Sequence, residues 1–161
     1  MKHYHVLECE QQDEISRELF DFLNSPNGPM QVQATEFWNF LNKTQAYECL
    51  KSCPSLRDWL SRLKLKAREI SFTIYNDKIK TFPHVDEPPV VAKINFPVLN
   101  TKDTFNVWFD DKDQEIDRVE CVKPIVLRSN VKHTVEIGPH AVFPRLQVSF
   151  CFYNEPIGYL E

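Results

Sequence analysis

His84 and Asp86 stand two residues apart in the string Pro83-His84-Val85-Asp86. In an extended chain alternate side chains share a face, so this histidine and aspartate would point one way and Val85 the other. An imidazole nitrogen and a carboxylate oxygen are two of the three ligands in the two-histidine, one-carboxylate face that holds non-haem Fe(II) and leaves positions open for chemistry. Among five histidines and many aspartates such a pair also arises by chance, so the third ligand decides its meaning. Two downstream residues compete for that place. His133 lies in Asn130-Val131-Lys132-His133-Thr134-Val135, and His140 lies in Gly138-Pro139-His140-Ala141-Val142.

A second candidate follows shortly after. From Arg145 the chain alternates, with Arg145, Gln147, Ser149 and Cys151 on one face and Leu146, Val148, Phe150 and Phe152 on the other. The second set is core packing; the first is polar and faces the inside of a barrel. An arginine pointing inward is costly unless an anion meets it. Its planar fork suits a carboxylate, with a hydroxyl such as Ser149 as a further donor. An internal salt bridge, or a place at the barrel mouth, would satisfy it equally.

The elements that must position these residues fall into two blocks. His3 to Cys9 alternate weakly and suggest a short strand. Asp13 is a candidate cap for a helix carrying Ile15, Leu19, Phe22 and Leu23 on one face, and Ser25-Pro26-Asn27-Gly28-Pro29 breaks it. Phe37, Trp38, Phe40 and Leu41 predict a second short helix, and residues 44–50 a third. Ser55-Leu56-Arg57-Asp58 has the form of a capping box, opening a helix with Leu56, Trp59, Leu60 and Leu63 on one face. After Lys66 the period becomes two. Strands are predicted near 69–75, 82–86, 90–98, 104–109, 118–122, 124–128, 133–137 and 145–153, separated by turn-forming residues. Strands after helices imply an α+β, mainly β domain spanning 1–161. Its double-sheet jelly roll core would cover about 66–153, with the N-terminal helices of about 1–65 packed on one sheet.

Composition narrows the function classes. A hydrophobic content of 42% with 26% charged residues is that of a globular protein. The net charge of −4 disfavours duplex nucleic acid as a partner. The basic run Arg62, Lys64, Lys66 and Arg68 reads as the solvated end of a helix. Three glycines, with no G-x-G-x-x-G or P-loop string, disfavour a dinucleotide or nucleoside-triphosphate fold. No signal peptide or membrane-spanning run is expected. Five cysteines without a dense pattern fit a reducing cytoplasm, with Cys49 and Cys53 read as buried thiols.

Together these strings resemble the Fe(II)/2-oxoglutarate-dependent dioxygenases of the double-stranded β-helix fold, in their prolyl-hydroxylase-like form. The resemblance is carried by His84-Val85-Asp86, by the distal histidine, and by Pro144-Arg145-Leu146-Gln147-Val148-Ser149-Phe150. Ala92-Lys93-Ile94-Asn95-Phe96-Pro97-Val98 is similar to the family's strand after the metal loop, and Tyr75 sits where such proteins often place a tyrosine. Coverage runs from about Ile70 to Phe152. Two departures stand out. The segment between His133 and Arg145 is longer than the common spacing, and Asn76-Asp77-Lys78 replaces the glycine that usually follows the tyrosine. His133 is the preferred distal ligand, because His140 lies too close to Arg145 to leave the arginine deep in the next strand.

The resemblance implies that His84, Asp86 and His133 hold Fe(II), with 2-oxoglutarate and O2 taking the open positions. Arg145 would bind the distal carboxylate, and Ser149, Asn95 and Tyr75 would be further co-substrate contacts. Succinate and CO2 would be co-products of hydroxylating a peptide or protein side chain or a small metabolite. Lys93, on the face of Asn95, is read as a surface lysine whose stem covers apolar neighbours. A non-catalytic jelly-roll binding or structural protein would account for the strands alone. A cupin-type site would need H-x-H with a following Glu near the first strands, and no such string is present.

Overall fold

The computed structural model describes residues 1–32, 37–153 and 157–161. In chain order these form β1 (Tyr4–Val6), α1 (Gln12–Asn24), α2 (Pro29–Val32), β2 (Phe37–Phe40), α3 (Lys43–Ser52) and α4 (Pro54–Leu63). Then come β3 (Glu69–Tyr75), β4 (Ala92–Leu99), β5 (Thr104–Phe109), β6 (Glu115–Glu120), β7 (Ile125–Arg128), β8 (His133–Ile137), β9 (Arg145–Phe152) and a closing 3-10 turn, Gly158–Leu160. No helix among the described residues is long and apolar enough to cross a membrane.

All strand pairing is antiparallel. A larger sheet runs β1-β7-β4-β9-β3-β2, and a smaller one runs β6-β5-β8. Side chains from the inner faces bridge the two sheets, as in Arg145 with Thr104 and Asn95 with Asn106. This is a jelly-roll-like arrangement of two sheets. The outer face of the larger sheet carries Ile70, Phe72, Ile74, Ile94, Phe96, Leu146, Val148, Phe150 and Phe152, which pack against Ile15, Leu19, Leu23, Leu56 and Trp59 of the helices. β9 lies mid-sheet and is buried along its whole length, apolar toward the helices and polar toward the barrel interior.

The sequence expectation of a helix over Phe37 to Leu41 is not met. Phe37 to Phe40 instead form edge strand β2, in register against Ile74 to Ser71 of β3. Aromatic side chains suit a pleated surface, and the free edge of β3 outweighs a spacing that fits a helix only over one turn. The predicted strand at 82–86 reduces to a single bridge between His84 and His133. Pro83, Pro88 and Pro89 have no N–H to extend a ladder there.

Two helix starts also differ. α1 begins at Gln12, one residue before Asp13, so Asp13 and Glu14 lie in its first turn where the helix dipole favours them. α4 begins at Pro54, and the Ser55 N–H is taken by the Glu18 carboxylate at 2.9 Å rather than by a local box. A capping box is instead present at α3, where Asn42 and Gln45 exchange side-chain and backbone hydrogen bonds, both 2.9 Å.

Candidate metal and co-substrate site

His84 is fixed by its backbone. Its N–H donates to the His133 carbonyl at 2.9 Å, and the His133 N–H returns a bond at 2.8 Å. Two residues on, the Asp86 N–H donates to the Ser129 carbonyl at 2.9 Å. This short extended stretch keeps His84 and Asp86 on one side and leaves Val85 51% exposed on the other. His133, at the start of β8, is thereby brought opposite His84, with ring centroids 4.6 Å apart.

The three functional groups converge on one point. The Asp86 Oδ1 lies 3.4 Å from the His84 Nε2 and 3.6 Å from the His133 Nε2. Each imidazole presents its Nδ1 to the carbonyl two residues earlier, His84 to Phe82 at 3.1 Å and His133 to Val131 at 2.7 Å. A carbonyl only accepts, so Nδ1 carries the proton and Nε2 keeps its lone pair free toward Asp86. The His133 Nε2 is buried and has no hydrogen-bond partner. An orphaned buried acceptor beside a second imidazole and a carboxylate fits a divalent cation with nitrogen and oxygen ligands. His84, Asp86 and His133 form a group able to hold a metal, their ligand atoms all within 4.8 Å of one another.

The electrostatics agree. Burial, with Lys93 adding to it, pushes the His133 pKa down to about 4, so this imidazole is neutral at pH 7. The Asp86 carboxylate raises the His84 pKa. Burial opposes the charge of Asp86, but His84 and Lys93 outweigh it and hold the carboxyl well below its usual range. An anionic carboxylate next to a neutral buried imidazole is the protonation state that ligation requires.

His140 is not part of this cluster. Its backbone N–H donates to the Asp103 carboxylate at 2.7 Å, and the Gly138 N–H donates to the Asp103 carbonyl at 2.8 Å. Together these bonds pin the start of the long loop between β8 and β9 to residue 103. A Cβ at Gly138 would collide with the Asp103 carboxyl, so glycine permits this close approach. The extra residues between His133 and Arg145 are taken up in this loop, and His140 remains exposed.

Arg145 is fully buried at the start of β9. Its Nε donates to the Thr104 Oγ1 at 3.0 Å and its Nη2 to the Gln147 Oε1 at 2.9 Å, while the Tyr75 ring centre is 5.5 Å from the guanidinium carbon. The remaining nitrogen, Nη1, has no partner. No ion pair to Arg145 is present among the described residues. Ser149 and Asn95 are bonded to each other at 2.8 Å, and Asn95 reaches Asn106 at 3.3 Å. All three are buried inside the barrel, but the side chains that touch the guanidinium are those of Thr104 and Gln147.

Lys93 overturns its sequence reading. The side chain is only 17% exposed, and its Nζ lies 2.9 Å from the Asp86 Oδ2. The reason is parity. Lys93 and Asn95 alternate on the inner face of β4, and in register Lys93 lies opposite Cys151 of β9, another inward residue. Alternation had already placed Gln147 inward beside Arg145 and Lys93 on the face of Asn95, but gave neither a part in the site, and Thr104 needed the pairing of the two sheets.

Among solved structures the chain is similar to a prolyl-4-hydroxylase from Pseudomonas putida, with a TM-score of 0.59 and 13% identity over 97% of this chain and 95% of that one. The fold is prolyl-hydroxylase-like. A viral collagen prolyl hydroxylase from Paramecium bursaria Chlorella virus-1 gives a TM-score of 0.56 and 10% identity, covering 93% of this chain and 89% of that one. AviO1 from Streptomyces viridochromogenes gives 0.54 and 7%, covering 97% and 92%. No family model and no curated protein sequence matches the chain. The likeness is therefore one of fold, and it agrees with the motif resemblance and the His-Asp-His cluster.

Proposed function

We propose that the protein is an Fe(II)- and 2-oxoglutarate-dependent oxygenase of double-stranded β-helix architecture, hydroxylating a peptide or protein side chain or a small metabolite. The observation that carries this reading is a pair of unsatisfied buried groups in one barrel, the His133 Nε2 and the Arg145 Nη1. One asks for a cation and the other for an anion. A metal on His84, Asp86 and His133, with a dicarboxylate whose far end meets Arg145, would satisfy both.

Within this reading each residue has a role. The two Nδ1–H groups, held by the Phe82 and Val131 carbonyls, keep the Nε2 lone pairs aimed inward. Arg145, braced by Thr104 and Gln147, offers Nη1 to the distal carboxylate of 2-oxoglutarate. The Tyr75 ring covers the guanidinium and excludes water from it. Asn95 and Ser149 line the interior between the two subsites. When bound, the metal and 2-oxoglutarate supply O2 activation coupled to decarboxylation, with succinate and CO2 as co-products. The His84 side chain is 55% exposed whereas that of His133 is 4% exposed, so substrate approaches from the His84 side. Phe82 and Val85, both exposed beside His84, give that approach an apolar rim.

The test is an anaerobic titration of the protein with Fe(II) and 2-oxoglutarate. The expected result is the weak visible charge-transfer band of the chelate, together with a rise in melting temperature and slow succinate formation in air. Absence of the band, and of any change in melting temperature with metal plus 2-oxoglutarate, overturns the oxygenase reading and leaves a jelly-roll binding protein.

A further inference from the structure

We infer that Lys93 is a positioning residue that restricts Asp86 to one coordinating oxygen, and so preserves the open positions on the metal. This inference rests on the metal-binding reading above. The two carboxylate oxygens of Asp86 are already divided between partners. Oδ1 faces both histidine Nε2 atoms, at 3.4 and 3.6 Å, while Oδ2 lies 2.9 Å from the Lys93 Nζ. The lysine side chain is 17% exposed and that of Asp86 20%, so the pair is shielded enough to hold its geometry.

A carboxylate beside a divalent cation binds through one oxygen or both. A charge-assisted hydrogen bond from an ammonium is roughly twice as strong as a neutral one, and here it competes for the second oxygen. With Oδ2 held, three protein atoms would ligate the metal. With it released, both oxygens could reach the metal and close a position that the co-substrate or O2 needs. The lysine also places a positive charge close to the cation, so it lowers metal affinity while keeping the site reactive. The result is an arrangement that binds its metal less tightly than its ligand set allows. Lys93 is held in place by its strand, since it is in register with Cys151 of β9 on one side and Leu127 of β7 on the other.

Mn(II) is the probe, on the full chain, read by water-proton relaxivity and by the dissociation constant. Wild-type protein is expected to show about three exchangeable metal-bound waters, the number left by three protein ligands on a six-coordinate ion. In Lys93→Met one water is lost, relaxivity falls by about one third, and Mn(II) binds about tenfold tighter or more because a nearby cation is gone. In the same variant 2-oxoglutarate binds more weakly to the metal-loaded protein. Lys93→Arg, which keeps a charged donor, retains the wild-type relaxivity. Unchanged relaxivity in Lys93→Met, even with tighter Mn(II) binding, overturns the role, as does weaker binding, since loss of the lysine charge alone tightens binding without displacing a water. Should Lys93→Met not fold, wild-type protein decides the matter, because only two exchangeable waters would mean that Lys93 does not hold Oδ2. Failure of the wild-type protein to bind Mn(II) at all would instead count against the metal site itself.

Discussion

Arg145 offers the sharpest separation of a ligand-binding role from a structural one. It is fully buried, uses Nε and Nη2 on the neutral acceptors Thr104 and Gln147, and leaves Nη1 unpartnered. A buried charge without a counterion is a cost, and removing it while filling the space with an apolar chain is often neutral or stabilising. Arg145→Met should therefore leave the ligand-free melting temperature unchanged or raise it. The effect with ligand has the opposite sign. The unpartnered Nη1 supplies a charge-assisted hydrogen bond to the carboxylate, worth about 1.5–3 kcal/mol. Losing it weakens 2-oxoglutarate binding roughly 10- to 10²-fold.

At a ligand concentration of 100 times Kd, binding stabilises the wild-type protein by about 2.7 kcal/mol, which for a chain of this size raises the melting temperature by about 5–10 °C. Differential scanning fluorimetry with Mn(II), with and without 2-oxoglutarate, reads both quantities in one series. Wild type should shift by that amount and Arg145→Met by half of it or less. A variant that melts well below wild type without ligand, yet keeps the 2-oxoglutarate shift, would show that the guanidinium serves only the fold and would refute the reasoning.

Other consequences concern the ligands and the scaffold. His133→Ala should abolish Mn(II) binding in calorimetry while His140→Ala leaves it intact, because the His140 backbone is tied to Asp103 and its ring stays outside the cluster; the reverse pattern would move the ligand. The folded His133 imidazole refuses a proton until about pH 4, whereas an unfolded histidine accepts one near pH 6.5. Metal-free protein should therefore lose up to about 3 kcal/mol as pH falls through that window, and denaturation of wild type against His133→Gln should show the steeper loss in wild type. His84, raised by Asp86, acts in the opposite sense, its stabilisation fading as pH rises through its folded pKa, which is why the comparison variant is needed. Asn42→Ala removes the capping box of α3 and should cost about 1 kcal/mol, seen as a lower denaturation midpoint with unchanged metal affinity.

Much of the site was legible from local chemistry. His84 and Asp86 share a side because the chain is extended there, and Arg145 points inward because β9 alternates along its length. Residue parity alone carried both readings. It carried Lys93 as well, whose parity matched Asn95, but preference for an exposed lysine outweighed the pattern. Phe37 to Phe40 went wrong for another reason. Four residues contain too little period to separate helix from strand, and the free edge of β3 decided.

By itself, then, the sequence determined which side chains lie together along one strand: the histidine and aspartate of one extended stretch, and the inward polar row of β9. Only the tertiary structure decided what meets across strands. The mutual backbone bonds of His84 and His133 brought His133, and not His140, opposite His84. The pairing of the two sheets gave Arg145 its Thr104 partner on β5, and the fold brought Lys93 of β4 to Asp86. Parity is a local property of an extended backbone, whereas register depends on the packing of residues far apart in sequence.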